Sequence, residues 1–426
     1  MPAYRFVHAA DIHLDSPLRS LALRNSGLAE LIGNASREVL VRIVELCIDE
    51  QVDALLLAGD LYDGEQTSMK TARFLAEQLR RLHAANIKIF VIRGNHDALS
   101  KITKELVLPE SVHLFGGRAE AVELPRGRGD RPIVMHGLSF AKPQAPEGLL
   151  AKYRPPVEGA VNIGLMHTSL DGSTIHDVYA PCSTKDLTDS GFRYWALGHI
   201  HKRSAIAGSC TIVMPGIPQG RDIGESGPKS VTLVSILDDG SIALDERIVS
   251  VAQFERVSVS VAGAASWTDL APRIDAAIGE ATDKSASDHV VARLAFSGTT
   301  PLAWNIRRDA DLLRTEAESR AEAIGHVWIE KLEIDCKPPK ALDTVESAAP
   351  LDVLRRTMNE ETAVSESFRA EADSIVSDLF AQIPPECRRA LAPDDRGLAL
   401  LVERLVAEGS EEVLARLAAG SAEGGR

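Results

Sequence analysis

Asp, Asn and His recur in five short elements of the chain: Asp11-Ile-His13, Gly59-Asp60-Leu-Tyr-Asp63, Gly94-Asn95-His96-Asp97, Met166-His167-Thr168 and Gly198-His199-Ile-His201. Each closes a short run rich in Val, Ile and Leu, where the backbone would emerge from a sheet. Five of the twelve histidines fall within them. Imidazole and carboxylate together suit divalent ions of borderline hardness, such as manganese or iron. Residues two apart on an extended strand point the same way, so Asp11 with His13, and His199 with His201, could face one site. Asp60 could bridge two ions about 3.5–4 Å apart. Glycines before Asp60, Asn95 and His199 allow the tight turns that bring ligands close. Two such ions suit phosphoester hydrolysis: they bind a phosphate oxygen, lower the pKa of water and stabilise the charge of in-line displacement.

An Asp-x-His pair alone is a weak signal. All five elements in this order, each at a strand end, are specific. The elements that must hold them are strand-like runs at Arg5–Ala10, Asp53–Ala58, Ile87–Ile92, Pro132–Gly137, Val161–Met166, Tyr194–Leu197, Thr211–Met214 and Ser230–Leu237. Helical patterns intervene, clearest over Arg37–Gln51 and Ser68–Ala85, where Val39, Ile43, Leu46 and Cys47 share a face. Continuous apolar strands between helices predict an α/β domain over 1–250, with ligands bound beyond the strand ends. Residues 251–340 read strand, helix, strand, helix, strand: Phe254–Val261, Trp267–Gly279, His289–Ser297, Trp304–Ile324 and Val327–Asp335. This predicts a small second α/β domain, ended by Pro338-Pro339. Residues 341–426 read as helical, with Leu351, Leu354 and Met358, then Ile375 and Leu379, then Leu398, Leu401, Leu405, Val413 and Leu417 at helical spacing. The terminal GSAEGGR reads as disordered.

The 426 residues suffice for two or three domains, and 45% hydrophobic with 25% charged residues is ordinary for a soluble globular chain. No apolar run approaches the roughly 20 residues of a membrane-spanning helix. MPAYRFVHAADIHLD meets charge too early for a signal peptide. Five cysteines without CxxC spacing favour a reducing, cytoplasmic setting and no zinc-knuckle chemistry. A net charge of −14 argues at first against a nucleic-acid partner. Its distribution matters more: residues 1–250 carry 27 Lys and Arg against 30 Asp and Glu, and residues 341–426 carry 9 against 17.

The stretches ADIHL, VDALLLAGDLYD, VIRGNHD, the His167 strand, YWALGHIHKR and MPGIPQGR together resemble the calcineurin-like metallophosphoesterases. Within that superfamily they are similar to the SbcD type of DNA-repair exonuclease, over most of 1–240. ADIHLDSP and HDVYAPCS are closer to its YhaO-like branch. The resemblance implies a β-sandwich flanked by helices, a capping domain over 251–340 and a helical partner-binding region over 341–426. It implies that Asp11, His13, Asp60 and His201 hold a first ion, and Asp60, Asn95, His167 and His199 a second; Mn2+ is expected, with Fe2+ or Mg2+ as alternatives. His96 would contact the phosphate and protonate the leaving oxygen, with Asp63 orienting it. The implied substrate is DNA, cut as an exonuclease with some endonuclease activity. The implied partners are an SMC-like coiled-coil ATPase and a second copy in a homodimer. The alternatives are a phosphodiesterase of small nucleotides or other phosphoesters, and a non-catalytic metal-binding regulatory subunit.

Blander roles compete elsewhere. His8 and His136 read as core or outer-shell histidines, and His83 and His113 as surface ones. His176 and Asp177 read as a polar loop, and Trp195 as core rather than a base-stacking platform. Arg221 and Lys229, in QGRDIGESGPK, are candidates for phosphate contact against an evenly weighted solvated turn. The stripe Leu398, Leu401, Leu405 and Val413 is read either as an ATPase-docking face or as packing within its own domain.

Overall fold

A computed structural model describes residues 4–16, 26–62, 68–97, 108–124, 131–140, 148–171, 181–339, 350–383, 388, 391–392 and 394–423. The first 250 residues supply β1 (Tyr4–Ala9), α1 (Ser26–Asp49), β2 (Ala54–Ala58), α2 (Met69–Ala84), β3 (Lys88–Ile92), β4 (Val112–Leu114), β5 (Glu120–Glu123), β6 (Ile133–Gly137), β7 (Val161–His167), α3 (Thr184–Asp189), β8 (Tyr194–Gly198), β9 (Ser204–Ile206), β10 (Thr211–Met214), β11 (Ser230–Ile236) and β12 (Ile242–Ile248). They form two six-stranded mixed sheets, ordered β12-β11-β1-β2-β3-β4 and β5-β6-β7-β8-β10-β9. The inner strands β1, β2 and β3 run parallel, as do β6, β7, β8 and β10.

Strand alternation builds the layers. On β1 and β2, Phe6, Ala54 and Leu56 join Phe90, Met135, Ile163, Leu165 and Tyr194 in a core contributed by both sheets. Their neighbours Val7, Leu55 and Leu57 face the other way, onto Val39, Ile43 and Cys47 of α1 and Leu75 and Leu79 of α2. The outer face of the second sheet carries Met166, Trp195, Leu197 and Ile212 against Leu187 of α3 and Tyr153. Both faces of each sheet are thus covered, which is why these strands read as continuous apolar runs. The sandwich expected from the resemblance is present, and every strand expected in this region is found. Four further strands lie at or beside sheet edges: β4, β5, β9 and β12.

The rest of the chain holds β13 (Ala252–Ser260), α4 (Trp267–Lys284), β14 (His289–Thr299), α5 (Ala303–Arg308), α6 (Ala310–Ile324) and β15 (Val327–Lys337), with a three-stranded sheet ordered β13-β14-β15. The single helix expected over Trp304–Ile324 is broken at Asp309, at φ −102° and ψ 30°. Asp is a weak interior helix residue, and the Asp309 carboxylate accepts both arms of Arg308 instead. Beyond lie α7 (Pro350–Arg356), a π-helical stretch over Thr357–Thr362, α8 (Glu366–Gln382) and α9 (Asp395–Glu423). The last helix takes in the first four residues of GSAEGGR, so that much of the expected disorder is corrected. The chain divides into two compact units, Met1–Arg256 with Ala281–Ala292 and His326–Glu330, and Val257–Glu280 with Arg293–Gly325 and Lys331–Arg426. Within the second unit α9 packs on α5, α7 and α8, burying Val402, Leu414 and Ala415. No described helix is long and apolar enough to cross a membrane. Cys47, Cys182, Cys210 and Cys336 are buried and unpaired.

Candidate metal centre

The carboxyl ends of β1, β2, β3, β7 and β8 converge, and the chain at or just beyond each carries one of the five elements. The loop after β1 runs beside the loop after β2: Asp11 N–H donates to the Gly59 carbonyl, His13 N–H to that of Asp60, and Leu14 N–H to that of Leu61. Backbone turns, rather than strand alternation, aim the side chains. Asp11, His13, Asp60 and His199 hold left-handed φ of 54°, 45°, 52° and 103°. The expectation that Asp11 and His13 share the face of an extended strand is therefore corrected, since β1 ends at Ala9 and both residues follow it in turns. His199 and His201 likewise serve two neighbouring groups instead of one.

Donor atoms of Asp11, His13 and His201 lie within 4.8 Å of one another, and so do those of Asp60, His167 and His199. His13 Nε2 and His201 Nε2 are 3.2 Å apart. His167 Nε2 lies 3.2 Å from Asp60 Oδ2 and 3.0 Å from Asn95 Oδ1, so Asn95 joins the second group. The groups adjoin: His167 Nδ1 is 4.0 Å from Asp11 Oδ1. The His96 backbone N–H donates to Asp60 Oδ1 at 3.0 Å, and its ring stands 5.1 Å from that of His13. Of the expected site residues, Asp11, His13, Asp60, Asn95, His96, His167, His199 and His201 are thus brought together. Asp63, His176 and Asp177 lie outside the described residues.

Buried imidazoles converging nitrogen to nitrogen, with carboxylates among them, make a donor set suited to divalent cations. The space is kept open by glycine. A Cβ on Gly94 would stand 2.1 Å from Asp60 Oδ1, and one on Gly59, at φ 95°, would stand 2.5 Å from His167 Nδ1. Within the cluster the protein's own charges compensate each other. Burial pushes Asp60 upward, but His167, His13 and His96 outweigh it and hold the carboxyl well below its usual range. Burial lowers His167, and Asp60 with Asp11 overcome this to raise it to about 9. Asp11, fully buried, is raised, with burial outweighing the surrounding histidines.

Two further residues hold this geometry in roles that the sequence does not assign. Asp97 is buried and accepts backbone N–H groups from Leu61, Tyr62 and Gly94, tying the loop after β2 to the loop after β3. Burial and the Asp60 charge raise its pKa to about 6. It stands inside GNHD, so the signal was visible without its role. Glu225 lies 2.6 Å from His201 Nδ1 and carries no motif of its own. Arg221 is beside the site, but its guanidinium is engaged by Glu225 at 3.0 Å. Lys229 Nζ donates to the Ser226 carbonyl.

The blander readings fare as expected. His8 is fully buried between Tyr194 Oη and the Leu197 carbonyl, and His136 bonds Asn162. His83 meets Ser111 and His113 meets Glu120. Trp195 is core, stacked on Phe192, with its Nε1–H donated to Ser190.

Residues 4–203 match the family model for calcineurin-like phosphoesterases, and residues 254–337 that for the middle domain of metallophosphoesterase YhaO. The chain is 32% identical over 328 residues to the uncharacterized metallophosphoesterase YhaO of Bacillus subtilis (strain 168), covering 76% of this chain and 79% of that protein. Over 238 residues it is 26% identical to the DNA double-strand break repair protein Mre11 of Methanopyrus kandleri, covering 50% of this chain and 49% of that one. Over 209 residues it is 26% identical to the DNA double-strand break repair protein Mre11 of Methanocaldococcus jannaschii, covering 46% of this chain and 51% of that one. It thus spans about half the length of each of these Mre11 proteins.

Proposed function

The chain belongs to the calcineurin-like metallophosphoesterases and carries a middle domain of the YhaO type, and from that premise we propose that it is a DNA nuclease acting through two divalent ions. Asp11, His13, Asp60 and His201 would hold one ion, and Asp60, Asn95, His167 and His199 the other, with manganese the expected metal. When bound, the pair supplies Lewis acidity and an activated water for attack on phosphorus.

The chain's own residues do the rest. Asp60, the carboxylate that the two ions would share, is oriented by the His96 backbone N–H at 3.0 Å. His167 is oriented by the Ala58 carbonyl 2.9 Å from its Nδ1. His96, only partly buried beside His13 and Asp60, would donate a proton to the departing oxygen. The observation carrying this reading is the convergence of both donor groups with one further histidine. The likeness to the Mre11 proteins supports DNA as the substrate. By the family resemblance, the helical region after 341 is the natural place for an SMC-like ATPase to dock.

The test is manganese-dependent digestion of linear DNA beside a panel of small phosphodiesters, with wild type and His96→Ala compared at equal metal content. Wild type is expected to degrade DNA. The variant should keep both ions and lose about a hundredfold or more in rate. DNA left intact while small phosphodiesters are cleaved would replace the nuclease reading with that of a small-substrate phosphodiesterase. Equal rates in the two proteins would remove His96 from the chemistry.

A further inference from the structure

Glu225 closes a one-turn 3-10 helix, Ile223–Glu225, far along the chain from the His201 element it meets. Its Oε1 stands 2.6 Å from His201 Nδ1, and both side chains are largely buried, at 13% and 15% exposed. Arg221 holds the carboxylate at both oxygens. The Arg221 backbone N–H donates to Oε2 at 2.8 Å and its guanidinium to Oε1 at 3.0 Å. On the far side of the imidazole, His201 Nε2 faces His13 and the metal group. An imidazole that ligates through Nε2 keeps its proton on Nδ1, and an anion placed there fixes that tautomer, orients the ring and makes Nε2 a stronger donor. The other group is built differently: the Nδ1 of His167 meets a neutral partner, the Ala58 carbonyl, at 2.9 Å.

We infer that the Glu225 carboxylate, clamped by Arg221, is a positioning residue that fixes His201 for metal binding. Affinity at the Asp11–His13–His201 group then depends on Glu225, and affinity at the Asp60–His167–His199 group does not. The inference rests on the two-metal reading above. It gives Arg221 a role other than phosphate contact, because its guanidinium lies against both the Glu225 carboxylate, at 3.0 Å, and His201 Nδ1, at 3.3 Å.

The experiment is a manganese titration of the metal-free full chain, followed by calorimetry and by the spin-resonance signal of free ion. Wild type is expected to take up two ions. Glu225→Gln keeps an acceptor for His201 but removes the charge, and should weaken one of the two sites by about tenfold to a hundredfold while leaving the other unchanged. Arg221→Ala, which loosens the clamp and leaves the carboxylate, should weaken the same site by less, and serves if the first variant folds poorly. His167→Ala should weaken the opposite site, identifying which is which. Two unchanged sites in Glu225→Gln, or both weakened alike, would overturn the inference while leaving the two-metal reading intact. Failure of the wild type to bind manganese would instead overturn that reading, and this inference with it.

Discussion

Asp11, His13, Asp60 and His199 occupy left-handed backbone that costs an ordinary residue on the order of 1–3 kcal/mol each. Bonds from below hold them there: the His199 N–H reaches both oxygens of Asp11 at 3.0 Å, and Asp97 gathers three N–H groups of the adjoining loops. His8, three residues before Asp11, anchors the floor of the site as a neutral group. Burial drives its pKa down to about 3, against an upward pull from the Leu197 carbonyl. The folded state therefore excludes a proton that the unfolded chain accepts near pH 6.5. Stability from this residue is complete above that pH and drains away as pH falls toward 3, at up to about 1.4 kcal/mol per pH unit. Urea unfolding between pH 7.5 and 4.5 should show a slope steeper by one proton in wild type than in His8→Gln. Equal slopes would mean that His8 takes up its proton in the folded protein.

At the level of elements, the strands that carry the site were legible and those at the sheet edges were not. β2, with the sequence ALLLA, is buried at every position and is followed directly by the glycine before Asp60, so pattern and motif agree. β12, with the sequence IALDERI, alternates half-buried and exposed residues at a sheet edge and looks like a charged loop. β4 and β9 are three residues long, too short for any period. Glu225 was hidden for a different reason: its meeting with His201 requires the turn after β10 to fold back, which no local spacing encodes. The terminal helices were legible as helices but not in their allegiance. Of the stripe read from spacing, Leu405 and Val413 stay exposed at 44% and 47%, while α9 turns Val402 and Leu414 to its own unit. Ile375 and Leu379 of α8 are also exposed, at 53% and 59%. Such a surface suits a partner's apolar coiled-coil face. Under the proposed docking of an SMC-like ATPase, Ile375→Asp with Leu379→Asp should abolish co-purification with that ATPase and leave manganese content and the thermal melt unchanged. Retained co-purification would place the contact elsewhere.

At the scale of the whole molecule, the formal charge of −14 is unevenly held, and the imbalance bears on how DNA would be bound. Residues 1–250 are nearly balanced, with 27 cationic side chains against 30 anionic ones. Many of those cations are already engaged: Arg5 and Arg247 with Glu50, Arg37 with Asp15, and Arg221 with Glu225. Two divalent ions would turn that region's formal −3 into about +1, placing the gain where a phosphate must arrive. Attraction to DNA should therefore come chiefly from the metal centre and involve few phosphates. The His96→Ala protein, expected to hold metal without cutting, makes this measurable by anisotropy of a labelled duplex over a range of salt. Binding should be weak, should strengthen when manganese is added, and should show a shallow salt dependence, because few counterions are released. A partner ATPase that adds phosphate contacts should steepen that slope. Tight, steeply salt-dependent binding by the metal-free chain alone would show that it carries a DNA-binding surface of its own, and that the metals do not set the affinity.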